Sequence, residues 1–294
     1  MRACWIVVLC TSAVGGNELK LKDGDRIVLL GSTLIEREQQ QGHWEALLHA
    51  SAPGKKIVVR NLGWSGDTVF GEARAGFGTV EQGFQRLVSQ VKSVKPTIIL
   101  IAYGTNESFV GEDGVEKFIK GYNRLLVQLA PTKARIILLS PLRQENLGSP
   151  FPDPTARNRV LALYVKAIKA LAANQRLPFV DLFHGVVGKE KPSKPLTSNG
   201  IHLTSEGYAR TAPLLHHRLG LAAIARGIDQ EKLREAIVEK NRLYFHRWRP
   251  QNVTYLFGFR KHEQGRNAKE VAQLDPIIVE KDKAVSALTG RQDR

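Results

Sequence analysis

Short apolar runs alternate with segments of helical periodicity between residues 25 and 225. The runs are rich in Ile, Val and Leu, and they are continuously apolar instead of alternating with polar residues. Continuous apolar runs are typical of parallel strands that are covered on both faces. We predict five strands, over residues 25–31, 55–63, 97–104, 134–141 and 177–183.

Helical periodicity fills the intervals between these runs. The alternation of strand and helix predicts a doubly wound α/β fold. Residues 249–276 have no clear period, and the polar residues 280–294 are expected to fray. The predicted helices cover residues 34–50, 83–94, 114–130, 155–175, 204–225 and 230–248.

The first 16 residues have the order of features found in a signal peptide. Arg2 is followed by an apolar run, and small residues follow in turn. The run is too short to span a membrane. We therefore predict export to a periplasmic or extracellular space, with a buried N-terminal strand as the alternative. Both cysteines, Cys4 and Cys10, lie in this segment, so the mature chain would have no disulfide and no thiolate nucleophile.

The chain is basic, with a formal net charge of +15. Such an excess favours polyanionic partners, although it also serves solubility. For an exported protein, acidic glycans and anionic lipids fit better than nucleic acid. Arginine and aromatic residues interleave in residues 245–251, and more basic residues follow in 259–264. This pattern fits either an acidic glycan site or a tail that is anchored by its aromatic side chains.

Four polar loops follow the predicted strands or precede the last helix of the layer fold. They are GSTL (31–34), NLGWSGDT (61–68), GTNES (104–108) and SNGIHLTSEGY (198–208). Ligands of doubly wound sheets bind at the carboxyl ends of the strands. The loops supply hydroxyl, backbone N–H, amide and imidazole groups, which are the groups that acyl transfer requires. We predict no cofactor, and no metal site, because the histidines lack further ligands at metal spacing.

In these four blocks the chain resembles the SGNH hydrolases, also called GDSL esterases and lipases. The resemblance runs from about residue 25 to about residue 225. It implies a three-layer αβα sandwich with a flavodoxin-like, five-stranded parallel sheet, and the hydrolysis of acyl or acetyl esters, including those of carbohydrates. On this basis the chain divides into a signal peptide (1–16), a hydrolase-type domain (22–226) and a C-terminal helical and irregular extension (227–294).

The resemblance also assigns roles to individual residues. Thr33 takes the position of the nucleophile and His202 that of the catalytic base. Asn199 stands where the family has the acidic partner of the base. The backbone N–H groups of Thr33 and Gly66, with the side-chain amide of Asn106, match the donors of the oxyanion hole.

Two of these positions depart from the family. The extra methyl of Thr33 stiffens its side chain and crowds the path of attack. Asn199 can accept a hydrogen bond from the ring of His202, but it contributes no charge to stabilise an imidazolium. A degenerate relative that binds an acidic glycan or a partner protein without turnover is therefore the alternative function. Ser32 is a second candidate nucleophile, although we expect it to cap the helix, and Ser65 is a third by residue type.

Overall fold

A five-stranded parallel sheet organises the computed structural model, which describes residues 18–185 and 194–290. The predicted signal peptide lies outside these residues. Each strand falls within one of the five predicted runs, and the strand order is β2-β1-β3-β4-β5. This order is the flavodoxin-like one, so the predicted fold class is confirmed. The strands are β1 (Arg26–Gly31), β2 (Val58–Asn61), β3 (Ile98–Ala102), β4 (Arg135–Leu139) and β5 (Phe179–Val180).

Helices cover both faces of the sheet. Successive side chains of a strand point to opposite faces, so Ile98 and Leu100 of β3 pack in one core layer, and Ile99 and Ile101 pack in the other. No helix in the described parts of the chain is long and apolar enough to cross a bilayer. The first layer contains α1 (Thr33–Gln41), α2 (His43–Ala50) and α6 (Ser205–Leu219). The second contains α3 (Val80–Ser93), α4 (Gly114–Leu129) and α5 (Thr155–Asn174).

The single helix predicted over residues 34–50 is instead two helices that meet at Gly42. This glycine adopts the left-handed conformation, with φ of 71°, and ends α1. A Cβ atom there would lie 3.2 Å from side-chain atoms of Arg234 and Val238. The chain therefore turns at a residue that tolerates positive φ and lets the C-terminal extension approach closely.

The C-terminal extension is helical almost to the end of the described chain. Its long helices are α7 (Gln230–Trp248) and α11 (Leu274–Leu288). The expectation that residues 280–294 fray is wrong for the described part, because Val285 is fully buried against Leu233, Ile237 and residues of α2. Between them lie the short helices α8 (Val253–Leu256), α9 (Lys261–Gln264) and α10 (Ala268–Ala272).

Buried charges join this extension to the sheet domain. Lys240 of α7 forms an ion pair with Glu45 of α2, and each side chain is about 1% exposed. The amide of Asn241 donates to the second oxygen of Glu45 at 2.9 Å. Burial raises the pKa of Glu45, but Lys240 and His49 outweigh that effect and hold the pKa at about 2. Glu45 is therefore a buried carboxylate whose charge depends on the extension.

Replacing Lys240 by methionine should destabilise the protein by ~3–5 kcal/mol, because it leaves the Glu45 carboxylate buried without its cation. Urea unfolding followed by circular dichroism would measure the loss. Lys232→Met on the exposed face of the same helix is the matched control, with an expected change within about 0.5 kcal/mol. Equal stabilities of the two variants would contradict the structural role of the ion pair.

Candidate active site

A pocket of about 260 Å³ opens at the carboxyl ends of the strands. Thr33, Asn106 and His202 all line it, although they are far apart in the sequence. Its wall also contains Ser32, and an apolar part of the wall surrounds these polar groups. The apolar residues are Leu34, Phe109, Leu142, Ile201 and Leu203.

Two adjacent residues with hydroxyl groups, Ser32 and Thr33, line this pocket at the start of α1. Thr33 is the first residue of the helix, so its backbone N–H has no acceptor within the helix. Ser32 precedes it and makes no capping hydrogen bond through its side chain. The expectation that Ser32 caps the helix is therefore wrong. Thr33 is partly exposed, whereas Ser32 is buried, with 5% of its surface exposed.

The loop after β2 presents a backbone N–H to Thr33. Gly66 lies in a turn with φ of 77°, and its N–H points to Thr33 Oγ1 at 3.4 Å. Gly63 allows the loop to lie against α1, because a Cβ there would be 2.2 Å from the backbone nitrogen of Glu36. We call residues 64–67 the oxyanion turn, after the role that the resemblance predicts for Gly66. Close contact between backbones thus sets the distance between this turn and the hydroxyl.

Asn106 is tied to the other end of the oxyanion turn. Its Nδ2 donates to the backbone oxygen of Asp67 at 2.8 Å, which leaves the second N–H of the amide free for a ligand. The carboxyl of Glu107 accepts from the N–H groups of Val69 and Gly104, at 2.9 and 2.8 Å. Burial raises the pKa of Glu107 to about 7. These contacts hold the second and third loops in a fixed relation.

The loop that carries His202 is fixed by contacts to the loop after β4. Glu145 accepts hydrogen bonds from the N–H and hydroxyl of Thr197, at 2.7 and 2.6 Å. The Thr197 hydroxyl in turn accepts from Gly200 N at 3.0 Å. Glu145 N donates to Gly200 O at 2.8 Å. The imidazole is therefore held at the pocket by a braced turn.

The side chain of Asn199 is oriented by this turn. Its Oδ1 accepts from the backbone N–H groups of Ile201 and His202, at 3.2 and 2.9 Å. The amide nitrogen then faces the ring, with Nδ2 3.2 Å from His202 Nδ1. Flipping the amide would replace an oxygen that accepts two hydrogen bonds by a nitrogen that can only donate. The amide therefore donates to the ring, and the expectation that it accepts is wrong.

The direction of the hydrogen bond from the Asn199 amide to the ring determines which nitrogen of His202 carries the proton. A neutral imidazole that accepts at Nδ1 carries its proton on Nε2. In a Ser-His-Asp triad the opposite holds, since Nδ1 donates to the carboxylate and Nε2 takes the proton of the nucleophile. Burial and the charge of Arg37 lower the pKa of His202, and no described carboxylate acts to raise it. The hydrogen bonds of the described residues do not include one between Thr33 and His202.

The extension braces the oxyanion turn from outside. Glu36 of α1 accepts from the backbone N–H and the hydroxyl of Ser65, at 2.7 and 2.8 Å, which occupies the third candidate nucleophile. Arg249, just after α7, donates to the same carboxylate. Its guanidinium also lies 3.8 Å from the ring centre of Trp64, and Trp248 meets that ring edge-on. The extension thus packs directly on the loop that presents Gly66.

Sequence reasoning missed four residues of this site. Glu36 and Arg37 follow Thr33 by three and four positions, which places them near it on the helix surface, so their spacing was a usable signal. Gln144 and Arg143 follow β4 and line the pocket, but no motif marks them.

Comparisons with known proteins agree with this architecture. Residues 24–210 match the model of the GDSL-like Lipase/Acylhydrolase family. A search of curated proteins finds no match. Similar solved structures include an acetylxylan esterase from Geobacillus stearothermophilus, at 19% identity and a TM-score of 0.56, covering 71% of this chain and 100% of that one.

Two further structures share the fold. A lipase/acylhydrolase from Enterococcus faecalis is 20% identical, with a TM-score of 0.51, over 67% of this chain and 95% of that one. A gut microbial diltiazem-metabolizing enzyme is 19% identical, with a TM-score of 0.53, over 70% of this chain. The match spans about half of that enzyme, 49% of its length.

The fold and the family match define the class as SGNH ester hydrolases. The chain belongs to the GDSL-like lipase/acylhydrolase family.

Replacing Glu36 by alanine should loosen the oxyanion turn, because it removes both acceptors of Ser65. We expect the backbone amides of Ser65 and Gly66 to exchange about tenfold faster or more, since a hydrogen bond to a charged group contributes ~1.5–3 kcal/mol. Hydrogen exchange measured by NMR would show this. Glu206→Ala, which removes an exposed partner of Arg210 on α6, is the control. Unchanged exchange in both variants would show that Glu36 does not hold the turn.

Nitrogen-15 NMR of the histidine rings should find His202 as the Nε2–H tautomer at about pH 8, where the ring is neutral. In Asn199→Asp, a carboxylate would accept from the ring, and the proton should move to Nδ1. His184 serves as the internal reference, because its Nδ1 lies 2.8 Å from the Asp181 carboxylate. An Nδ1–H ring at His202 in the unmodified protein would refute the inferred direction of the Asn199 hydrogen bond.

Proposed function

We propose that this protein hydrolyses acyl or acetyl esters, with esters of carbohydrates as the substrate class. The observation that carries the proposal is the convergence of the Thr33 hydroxyl, the Asn106 amide and the His202 ring on one pocket. The Gly66 N–H points to the same hydroxyl. The exposed ring of Phe109 at the pocket adds an apolar surface against which a sugar ring could lie.

In the proposed reaction, Thr33 Oγ1 attacks the carbonyl carbon and forms a tetrahedral intermediate. The N–H groups of Thr33 and Gly66, together with the free N–H of Asn106, would stabilise the oxyanion. His202 would take the proton of the hydroxyl and later donate it to the leaving alcohol. Water would then release the acyl group from Thr33 through the same steps.

Asn199 limits the rate of this reaction. Before His202 can act as a base, its proton must move from Nε2 to Nδ1, and the hydrogen bond from Asn199 is lost. The Nδ1–H group and the Asn199 amide are then two donors facing each other, which costs ~1–3 kcal/mol. The imidazolium that forms also lacks a stabilising carboxylate. We therefore expect slow turnover.

The hydrogen bond from the Asn199 amide to His202 also favours a second function. A ring with Nε2–H is a donor toward the pocket and suits the binding of an acceptor group without chemistry. The alternative is therefore a protein that binds an acidic glycan or a partner protein through this pocket. The basic C-terminal segment is less suited to that role, because Arg247, Arg249 and Arg260 all pair with carboxylates of the chain.

We also propose that the protein is exported, because residues 1–16 have the order of features found in a signal peptide. A periplasmic or extracellular location would give the protein access to acylated polysaccharides.

Purified protein should hydrolyse 4-nitrophenyl acetate or an acetylated sugar slowly, and both Thr33→Ala and His202→Ala should abolish this activity. Asn199→Asp should raise kcat at least about tenfold, given that the reverse change in a serine-protease triad lowers kcat by about 10⁴. Steady-state kinetics on the same esters would measure these changes.

Asn123→Asp, on the surface of α4, makes the same charge change away from the pocket and should leave the rate unaltered. Rates no higher than those of heat-inactivated protein, in the original chain and in Asn199→Asp, would favour binding without turnover. Loss of activity in Ser32→Ala but not in Thr33→Ala would move the nucleophile to Ser32.

A further inference from the structure

The wall of the pocket is positively charged. Its lining contains two arginines, Arg37 and Arg143, and no aspartate or glutamate among the described residues. Arg37 and Arg143 line the same pocket as Thr33, so a ligand bound there experiences their positive charge. The charge of the lining therefore bears directly on which esters can bind.

Arg37 is placed beside the reacting groups by the helix that carries Thr33. Residues four apart lie one above the other on a helix, so Arg37 occupies the same face of α1 as the hydroxyl. Its charge is felt by the His202 ring and by Tyr208, both of which line the pocket. Among the described residues, no carboxylate or other acceptor forms a hydrogen bond or ion pair with the Arg37 guanidinium. It is a partly buried cation without a counter-ion.

Gln144 supplies a second unsatisfied donor. Its backbone is clamped by the side chain of Asn158, which donates to its carbonyl at 2.9 Å and accepts from its N–H at 2.8 Å. Gln144 Nε2 is buried and has no hydrogen-bond partner. Buried donors are nearly always paired, so Gln144 Nε2 lacks an acceptor that a water molecule or a ligand in the pocket would supply. Arg143, the preceding residue, also lines the pocket and is exposed, with its guanidinium 5.9 Å from the ring centre of Phe183.

From these groups, and resting on the proposed function, we infer that the pocket selects esters that carry an anionic group close to the ester bond. Arg37, Arg143 and Gln144 form the subsite for a carboxylate or sulfate. Guanidinium groups bind such anions through paired, charge-assisted hydrogen bonds, and Gln144 Nε2 donates one more. The anion sits either on the sugar, as in an acetylated uronic acid, or on the acyl chain, as in a half-ester of a dicarboxylic acid.

The arginines and Thr33 line one pocket, of about 260 Å³. We therefore expect the anionic group and the ester bond to lie close together in the substrate.

Binding tests the subsite without requiring turnover. Sodium glucuronate and its neutral analogue glucuronamide are titrated separately into the full-length mature protein at low salt, and affinities are obtained by NMR or calorimetry. We expect glucuronate to bind about tenfold more tightly or better, and expect Arg37→Gln to remove most of that difference. Arg218→Gln, which removes an exposed charge from α6, is the matched control and should preserve it. Equal affinity for the two sugars, or a preference that survives Arg37→Gln, would overturn the subsite.

Kinetics then identify the source of the anion. The values of kcat/KM are compared for 4-nitrophenyl hemiglutarate against 4-nitrophenyl butyrate, and for acetylated glucuronate against acetylated glucose. A preference for the charged member of the first pair places the anion on the acyl side, and a preference in the second pair places it on the sugar. Glucuronate binding without hydrolysis of any ester would refute the proposed activity and leave the anion subsite standing. Hydrolysis that favours the neutral ester in both pairs would refute the inferred substrate class.

Discussion

The direction of one hydrogen bond, from the Asn199 amide to the His202 ring, governs the chemistry that this pocket can perform. The turn at residues 199–202 uses the Asn199 oxygen to satisfy two backbone N–H groups, so the nitrogen is left to face the imidazole. An aspartate at this position could accept from the backbone with one oxygen and from the ring with the other. The same loop geometry would therefore leave Nε2 of the ring a hydrogen-bond acceptor with aspartate, and makes it a hydrogen-bond donor with asparagine.

The loop that carries Gly66 is fixed against α1 by close backbone packing and by charged side chains. The backbone of the loop at Gly63 lies against α1 so closely that no side chain fits between them. Glu36 and Arg249 then fasten the oxyanion turn from the other side. Dipoles that are fixed before the substrate arrives stabilise a developing negative charge without a cost of reorganisation. In the proposed reaction, this turn would thus offer a preorganised site for a carbonyl oxygen even though Asn199 replaces the acidic residue of the family.

Sequence patterns were sufficient to predict those elements whose formation depends on one physical constraint. All five strands were found because strands covered on both faces must be continuously apolar. Helical periodicity did not reveal the break at Gly42, since the apolar spacing continues across it and the turn is required by Arg234 and Val238 of a distant helix. The fraying predicted for the last residues failed for a similar reason, because the burial of Val285 depends on α7 and α2.

The residues of the candidate site fall into two groups in the same way: those that a sequence motif marks, and those whose roles depend on contacts in the folded chain. The loops that carry Thr33, Gly66, Asn106 and His202 could be located because each has a distinctive motif at a strand end or before a helix. The orientation of the Asn199 amide could not be foreseen, since it depends on which of its two ends the backbone N–H groups of the turn engage. Gln144 could not be predicted from the sequence for a different reason. Its role arises from the clamp by Asn158, and neither residue has a motif.

The positive charge of the pocket lining depends in part on the asparagine at position 199. An aspartate at position 199 would place a negative charge at His202, close to Arg37, where it would attract the guanidinium and repel an anionic ligand. With asparagine there, Arg37 keeps no counter-ion among the described residues, and the charged side chains that line the pocket are two arginines, Arg37 and Arg143. The change that weakens the base is thus the change that leaves the pocket most attractive to an anion. In the proposed reaction, Asn199 and the basic lining therefore act in the same direction, because both favour the binding of an anion while the asparagine slows its conversion.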